Sequence, residues 1–480
     1  MKDISPQNLQ EALEAIRALF LTIRELQGNI QALREENQSL REENQGLREE
    51  NEKLKARLNK NSKNSSKPPS SDIKGNSSTP EKRGGAKFGH KGYFRALMPS
   101  DEVTKKITVV PNKCPRCGSG KLVSERKPNK HQVIDIPEIK PSVTEYRLER
   151  CRCLECGKHV RAALPEGISQ SVLGANLTAL IADLSCRYSL PIRKIQRLLH
   201  DLSGCSFSSA TIIACQQRVS TSLSEVYEEL KRDLQNEAVL NADETGWRTH
   251  GKRRWAWIAA GKNTTVLMLR TRRNRESAEE LLGKDSVQPV ITDRYAAYAP
   301  KGPHQLCLAH WKRDMEALRD LDQAKDLYEL LHIDLKEVFS TWGAYRDGHL
   351  DKKQFLGRTY YRRKRMQEAL EYWVREGPTD RIKMFCKKSL RKFEQYWTYT
   401  HFDEMEPTNN RAERELRPLV IRRKISFGTK SLSGEEFIER AYSVAQTLTK
   451  RGIKVWQYFR EALERSWSSL PAPSLQSKCV

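Results

Sequence analysis

Apolar residues recur every 3.5 positions along the first sixty residues. They fall at Leu9, Ala12, Ile16, Leu19, Ile23, Leu26, Ile30 and Leu33, then in the same register at Leu40, Leu47, Leu54 and Leu58. A 3.5-residue repeat held over about seven heptads winds helices around one another with left-handed supercoil, and few other folds satisfy it. From Leu33 the unit Leu-Arg-Glu-Glu-Asn-Gln-x occurs twice, and a third copy carries Glu52 in place of the Gln. With leucines at d, Asn37, Asn44 and Asn51 occupy a positions, where Asn favours paired, in-register helices at a cost in stability. Residues 1–58 therefore read as a leucine-zipper coiled coil, and the partner they call for is a second copy: a homodimer or higher oligomer.

The helix pattern stops at Asn59-Lys-Asn-Ser-Lys-Asn-Ser-Ser-Lys-Pro-Pro, where Pro68 and Pro69 remove backbone donors. Residues 59–100 hold nine Lys/Arg against two acids among many Ser, Gly and Asn. This is a basic flexible linker, either tracking phosphates or acting as a solubilising tether. The whole chain has 85 Lys+Arg against 61 Asp+Glu, a net charge of +24. That balance favours a polyanionic partner, nucleic acid before anionic membrane. No apolar run is long enough to span a bilayer, and the N-terminus lacks the layout of a secretion signal, so the expected location is the cytoplasm.

Eleven cysteines in 480 residues do not make a disulfide scaffold. Four of them form Cys114-Pro-Arg-Cys117 and Cys153-Leu-Glu-Cys156, each followed by a glycine. Two such turns can complete a four-sulfur Zn²⁺ site, closed and therefore structural. Cys151 and His159 are nearby competitors for ligand duty, and Ser142 to Arg150 reads as a strand leading into the second turn. Residues 101–165 are thus a zinc-binding module. Residues 166–235 are helical: Leu190 to His200, a turn at Gly204, a Ser-rich cap and a second helix to Val219. Helix, short turn, helix fits either a DNA-reading helix-turn-helix or plain scaffolding.

Strands follow. Val239–Asp243, Trp255–Ala260 and Thr265–Arg270 are short and apolar. A helix at Ser277–Leu282 precedes Val287–Asp293, and Gln305–His310 looks like one more strand, running into a helix at Lys312–Leu318. A meander of three strands, then strands alternating with helices, is the order of a ribonuclease H-like core. The core is expected over 236–318, with an α-helical insertion rich in Trp and Tyr over 319–405. It resumes over 406–450, and a C-terminal helix and tail occupy 451–480. The fold class is multidomain α/β.

Three carboxylates stand out within this frame. Asp243 and Asp293 each end an apolar strand-like run, and Glu413 lies in the basic stretch Asn409-Asn-Arg-Ala-Glu-Arg-Glu-Leu-Arg-Pro418. Two rigidly placed Asp and one helical Glu can hold two Mg²⁺ (or Mn²⁺), which is how phosphodiester bonds are cut by in-line displacement. Glu244 would face away from Asp243 if the strand continued, and so ranks as auxiliary at most. Arg411, Arg414, Arg417, Arg422, Arg423 and Lys424 are candidate phosphate contacts; a solvated basic helix face is the alternative.

These motifs run in an order that resembles the bacterial transposases of the insertion-sequence-66 family. The matching segments are the zipper, Asn64-Ser-Ser-Lys-Pro-Pro-Ser-Ser-Asp72 and the paired Cys-x-x-Cys turns. Further along come Ala242-Asp-Glu-Thr-Gly-Trp247, Thr292-Asp-Arg-Tyr-Ala-Ala-Tyr298, Cys307-Leu-Ala-His310, Asn409–Pro418 and Arg422-Arg-Lys424. The resemblance implies an Asp-Asp-Glu triad at Asp243, Asp293 and Glu413. It implies binding of double-stranded DNA at the element's terminal inverted repeats, joining of those ends to target DNA, and a nucleoid-associated bacterial setting, with accessory proteins of the same element as further partners. Two positions depart from the family pattern: Arg294 stands where Gly is common, and Thr408 where Asp is common. The rival readings are a ribonuclease H-like nuclease that cuts without joining, and a catalytically dead dimeric DNA-binding regulator.

Overall fold

The N-terminal helix α1 (Pro6–Leu58) runs 53 residues without a break in the computed structural model, which describes residues 6–58, 95–123 and 129–476. The seam set by the heptads is open to solvent: Ile16, Leu19, Ile23, Leu26, Ile30, Leu33, Leu40, Leu47 and Leu54 are all at least 45% exposed. Asn37 and Asn44 donate their side-chain amides to the carbonyls of Leu33 (3.1 Å) and Leu40 (2.9 Å), one turn back on the same helix. Most of the expected linker, residues 59–94, and with it the 64–72 motif, lies outside the described residues. The chain divides into two units, one drawn from 1–75 and 227–423, the other from 76–226 and 424–480. No helix among the described residues is long and apolar enough to cross a membrane.

In the second unit a small antiparallel hairpin, β1 (Arg150–Arg152) and β2 (His159–Arg161), flanks the second Cys-x-x-Cys turn. The strand expected from Ser142 begins only at Arg150. A strand needs a ladder, and the pairing here extends no further back than the Ala162 N–H to Glu149 carbonyl bond at 2.9 Å. Three helices of this unit follow, α2 (Ala175–Cys186), α3 (Ile192–Ser203) and α4 (Ser209–Ser222), and then α5 (Ser224–Leu234), which lies mainly in the first unit from Tyr227 on. The α3–α4 turn matches its sequence signals. Gly204 takes φ 70° and donates to the His200 carbonyl, while Ser208 Oγ accepts the Thr211 N–H at 3.1 Å. Leu173, Ile181, Ile195, Leu199, Ile212 and Cys215 form the core between them.

The first unit is built on a five-stranded mixed sheet. Its strands are β3 (Leu240–Thr249), β4 (Lys252–Ala260), β5 (Thr265–Arg270), β6 (Val290–Thr292) and β7 (His304–Leu306), with helix α6 (Arg275–Leu282) between β5 and β6. The spatial order is β5-β4-β3-β6-β7; the first three are antiparallel, and β3–β6 and β6–β7 are parallel. That topology is consistent with the expected ribonuclease H-like core. Two boundaries differ from the sequence reading. β3 does not end at Asp243 but continues through Thr245, Trp247 and Thr249, residues that suit strands. His250 (φ 51°) and Gly251 (φ 75°) then form the two-residue turn with two positive φ angles that hairpin twist favours. β7 stops at Leu306, and helix α7 (Leu308–Glu316) begins four residues before its expected start, as the Leu308 N–H leaves the ladder for the Pro407 carbonyl (2.9 Å).

Helices α8 (Lys325–Arg346), α9 (Lys352–Glu376) and α10 (Asp380–Arg391), with short 3₁₀ turns to His401, fill the expected helical stretch. Asp334, fully buried on α8, pairs with Arg362 (3.0 Å) and Arg365 (2.6 Å) of α9. The stretch is bonded to the sheet edge by buried Gln305 of β7. Its amide donates to the carbonyls of Leu306 (2.7 Å) and Tyr396 (3.0 Å) and accepts the Tyr399 N–H at 2.8 Å. Helix α11 (Asn410–Ser426) then returns to the sheet, and Pro418 within it leaves the Arg414 carbonyl without its helical partner.

The last two helices, α12 (Leu432–Lys450) and α13 (Val455–Trp467), belong to the second unit. Sequence pattern had placed Leu432–Lys450 with the catalytic core. Instead Gln217 of α4 bonds Ser433 (3.2 Å), Arg440 bonds the Ser220 carbonyl (3.3 Å), and Trp456 of α13 bonds the Asn176 carbonyl of α2 (3.0 Å). Periodicity marks α12 as a helix with an apolar face, but not which core that face covers.

Candidate active site

The sheet places Asp243 and Asp293 by where its pairing splits. β3 and β6 pair only at Leu240–Val290 and Asn241–Ile291, so Asp243 and Asp293 lie just past the last shared rungs of two adjacent strands. Each carboxylate is fixed by a backbone N–H: Glu244 donates to Asp243 Oδ1 at 2.9 Å, and Tyr295 donates to Asp293 Oδ1 at 2.8 Å. Oxygens of Asp243, Glu244 and Asp293 lie within 4.8 Å of one another. Strand alternation had argued against Glu244, yet its longer side chain joins the cluster. It is held there by Arg273, whose Nε and Nη2 both reach Oε1, and by the Tyr298 hydroxyl, which donates to Oε2 at 2.5 Å. Arg273 in turn lies over the Tyr295 ring, 3.7 Å from its centroid.

Glu413 sits in the first turn of α11, its N–H bonded to the Asn409 carbonyl (3.2 Å). Buried Asn409 fixes this helix end against β3. Its side-chain amide donates to the Ala242 carbonyl (2.8 Å) and accepts from Asn241 Nδ2 (3.1 Å), and its N–H donates to Cys307 Sγ (3.2 Å). Asp243, Glu244, Asn410, Glu413, Arg414 and Arg417 share the wall of one cleft of about 550 Å³. Glu413 itself faces Arg313 Nη2 (3.6 Å) and His310 Nδ1 (3.8 Å), both on α7.

Burial and like charge govern the electrostatics. Burial pushes Asp243 well above the usual carboxylate range, and the charges of Glu244 and Asp293 push it further. Burial also raises Glu244, with Asp293 adding to the rise while Tyr298 and Arg273 oppose it. Burial raises Glu413 against the pull of Arg313. Arg294 does not relieve the crowding, because it pairs with Asp314 of α7. Hard oxygen donors crowded in this way fit a Mg²⁺ or Mn²⁺ ion.

The basic residues divide. Arg414 and Arg417 are exposed on the cleft wall. Arg411 pairs with Glu406 at 3.5 Å, and Arg423 bonds Thr245 Oγ1 (3.1 Å) and the Gly246 carbonyl. Arg422 is partly buried and Lys424 exposed.

The two Cys-x-x-Cys turns have the same backbone. Cys114 N–H bonds the Ser119 carbonyl and Gly118 N–H the Cys114 carbonyl (both 2.9 Å). Cys153 N–H bonds the Lys158 carbonyl (2.8 Å) and Gly157 N–H the Cys153 carbonyl (2.9 Å). Gly118 and Gly157 take φ 73° and 74°, which is why glycine follows each second cysteine. Backbone N–H groups of Arg116 and Cys117 hold the Cys114 thiol below its ordinary value, and those of Cys156 and Glu155 do the same for Cys153. Among the described residues the four sulfurs do not gather on one point: neither group of three metal-binding side chains with donor atoms within 4.8 Å of one another includes them.

The sequence reading missed Arg273, His310 and Arg313 as contributors, and the clamp made by Asn409. Tyr298, His310 and Asn409 did lie in the motifs that carried the resemblance. Arg273 left no signal, since one arginine of Arg272-Arg273 looks like another.

Three family models match the chain. One described as a family of unknown function (DUF6444) matches residues 13–95, the zinc-finger binding domain of transposase IS66 matches 111–157, and the IS66 family transposase (DDE) model matches 170–436. No curated protein matches it. The transposase model spans more than half of the sequence and contains all three carboxylates, and the zinc-finger model contains both cysteine turns. The chain belongs to the IS66 family of transposases, DDE enzymes that cleave and join DNA strands.

Proposed function

We propose that Asp243, Asp293 and Glu413 are the catalytic triad, that the enzyme binds the terminal inverted repeats of its own element, and that it joins their 3′-hydroxyls to target DNA. The observation that carries this is the convergence of Asp243 and Asp293 at the split between β3 and β6, with Glu413 on the same cleft wall as Asp243. A divalent ion held by these carboxylates, Mg²⁺ or Mn²⁺, supplies charge neutralisation and a more acidic attacking hydroxyl. The chain's own residues do the rest. Backbone N–H groups orient the two Asp, Arg273 and Tyr298 hold Glu244 as a fixed neighbouring charge, and Arg414 and Arg417 draw a phosphate backbone into the cleft. Arg294 is engaged by Asp314, so its departure from the family pattern leaves the carboxylates accessible to a metal.

Cys114, Cys117, Cys153 and Cys156 take one structural Zn²⁺, which must draw the two turns together; each turn is already shaped and one thiol of each is biased toward thiolate. The α3–α4 pair reads DNA, and α1 pairs with α1 of a second copy, which covers the open seam. The test is Mg²⁺-dependent strand transfer with the DNA ends that flank the encoding gene. Joined products are expected. Cleavage without joining would make the protein a nuclease, and DNA binding with no cleavage under any divalent ion would make it a regulator.

A further inference from the structure

Glu413 has a second set of neighbours that the carboxylate cluster does not use. Cys307, fully buried, precedes α7, and His310 lies in the first turn of that helix. One donor atom from each of Cys307, His310 and Glu413 falls within 4.8 Å of the other two. His310 Nδ1 and Glu413 Oε1 face each other at 3.8 Å, and neither buried atom has a hydrogen-bond partner among the described residues. Buried polar atoms left without partners are uncommon in native interiors, and an absent ion is one of the explanations for them.

We propose that Cys307, His310 and Glu413 form a binding site for a borderline-soft divalent cation of the Zn²⁺ or Co²⁺ type. The donor set is one sulfur, one nitrogen and one oxygen, which suits such ions and not Mg²⁺, a cation that takes oxygens. A thiolate and a carboxylate balance the ion's charge around a neutral imidazole. Zn–N and Zn–O bonds of about 2.0–2.2 Å set two ligands roughly 3.3–3.6 Å apart across a tetrahedral angle. The observed 3.8 Å needs a contraction of only a few tenths of an ångström. Binding releases the Cys307 thiol proton to solvent, and three protein ligands leave a fourth position for water. Arg313, 3.6 Å from the same Glu413 oxygen and partly exposed, is the cation that must swing away.

Occupancy would commit Glu413 to α7. If Glu413 belongs to the catalytic triad, a soft cation at this site inhibits strand transfer; that consequence rests on the proposed function, whereas the binding does not. Co²⁺ titration of the full chain, followed by its thiolate charge-transfer absorption, tests the site. The cysteine turns also bind Co²⁺, so a Cys114→Ser/Cys153→Ser background is run beside the wild type. The thiolate band is expected to persist in that background and to vanish when Cys307→Ser is added, with one equivalent of Co²⁺ lost. His310→Gln should weaken the site more than about 100-fold, beyond what loss of an outer-shell partner costs. Equal stoichiometry and an unchanged band with and without Cys307 would overturn the proposal. Should Cys307→Ser fail to fold by circular dichroism, His310→Gln at its partly exposed position gives the same reading. Zn²⁺ added beside Mg²⁺ should inhibit wild-type strand transfer, and the fractional inhibition of Cys307→Ser, measured against that variant's own Zn²⁺-free rate, should be smaller. Binding without inhibition would keep the site and remove Glu413 from the triad.

Discussion

The cysteine turns and the carboxylate cleft both collect metal-binding side chains, and they do so in opposite ways. Each cysteine turn closes within about five residues around a glycine of positive φ, and Cys117 and Cys156 are exposed. The sheet brings Asp243, Glu244 and Asp293 together from two strands, and Glu413 of a distant helix shares a cleft wall with Asp243 and Glu244. A turn stores geometry but little free energy, so on the proposed function the module should depend on its ion to fold. The carboxylates store unfavourable charge, which a large core offsets, so that region should fold without an ion and gain by binding one.

That contrast can be broken at four points. The largest effect is expected from zinc. Structural Zn²⁺ in small modules supplies on the order of 10 kcal/mol of binding free energy that doubles as folding free energy. Chelation, or Cys153→Ser, should therefore make the region around 101–165 sensitive to protease while the thermal transition of the sheet unit stays in place. If both units melt together on chelation, they are not independent in the sense argued above.

Next is Asp243→Asn, which should lower strand cleavage by roughly 10³-fold or more and leave binding to element ends intact. In Mg²⁺-free buffer the same variant should melt higher than wild type, because it removes a charge crowded by Glu244 and Asp293. A lower melting temperature would mean that the cluster does not store repulsion.

Asn409→Ala comes third. It strips the Ala242 carbonyl and the Asn241 amide of their buried partner, at about 1–3 kcal/mol for each group left unsatisfied. A urea midpoint shift in that range, with loss of cleavage, would fit a clamp that holds Glu413 beside β3; unchanged stability would dismiss it.

The smallest effect concerns pH. The folded-state pKa of Asp243 lies above its unfolded value, so the stability it contributes is complete below the unfolded carboxylate range and is lost as pH rises through the folded value. The stability gap between Asp243→Asn and wild type should thus open from pH about 4 toward neutrality, and close on adding Mg²⁺. Buried His304 and His310, each depressed to about 4 by burial, act in the other direction: their contribution is present above the ordinary histidine value and lost as pH falls. Both proteins carry them, so they cancel in the difference. A gap that does not change with pH would remove Asp243 from the crowded cluster.

Where physics is local, the residues announced their structure. Heptad spacing gave α1, and a glycine after each second cysteine gave the paired turns. Gly204 and Ser208 bounded the α3–α4 connection, and the alternation of strands and helices gave the order of elements along the core. The misreadings lie where a distant partner decides. Ser142–Glu149 has strand composition but no ladder among the described residues, and Thr245–Thr249 was passed over although His250-Gly251 is a two-residue hairpin signal. Gln305–His310 reads as one strand until the Pro407 carbonyl takes the Leu308 N–H.

By itself the sequence determined which side chains this protein can bring to a phosphodiester bond, since the carboxylates, the cysteines and the basic stretch are fixed by composition and spacing. Tertiary structure alone decided which of them meet. Glu244 joins the two Asp because Arg273 and Tyr298 hold it there, Arg294 is taken out of the site by Asp314, and Glu413 is shared between the cleft and His310. Each outcome depends on a partner between 20 and more than 100 positions away, and periodicity within one segment carries no information about what another segment will place against it.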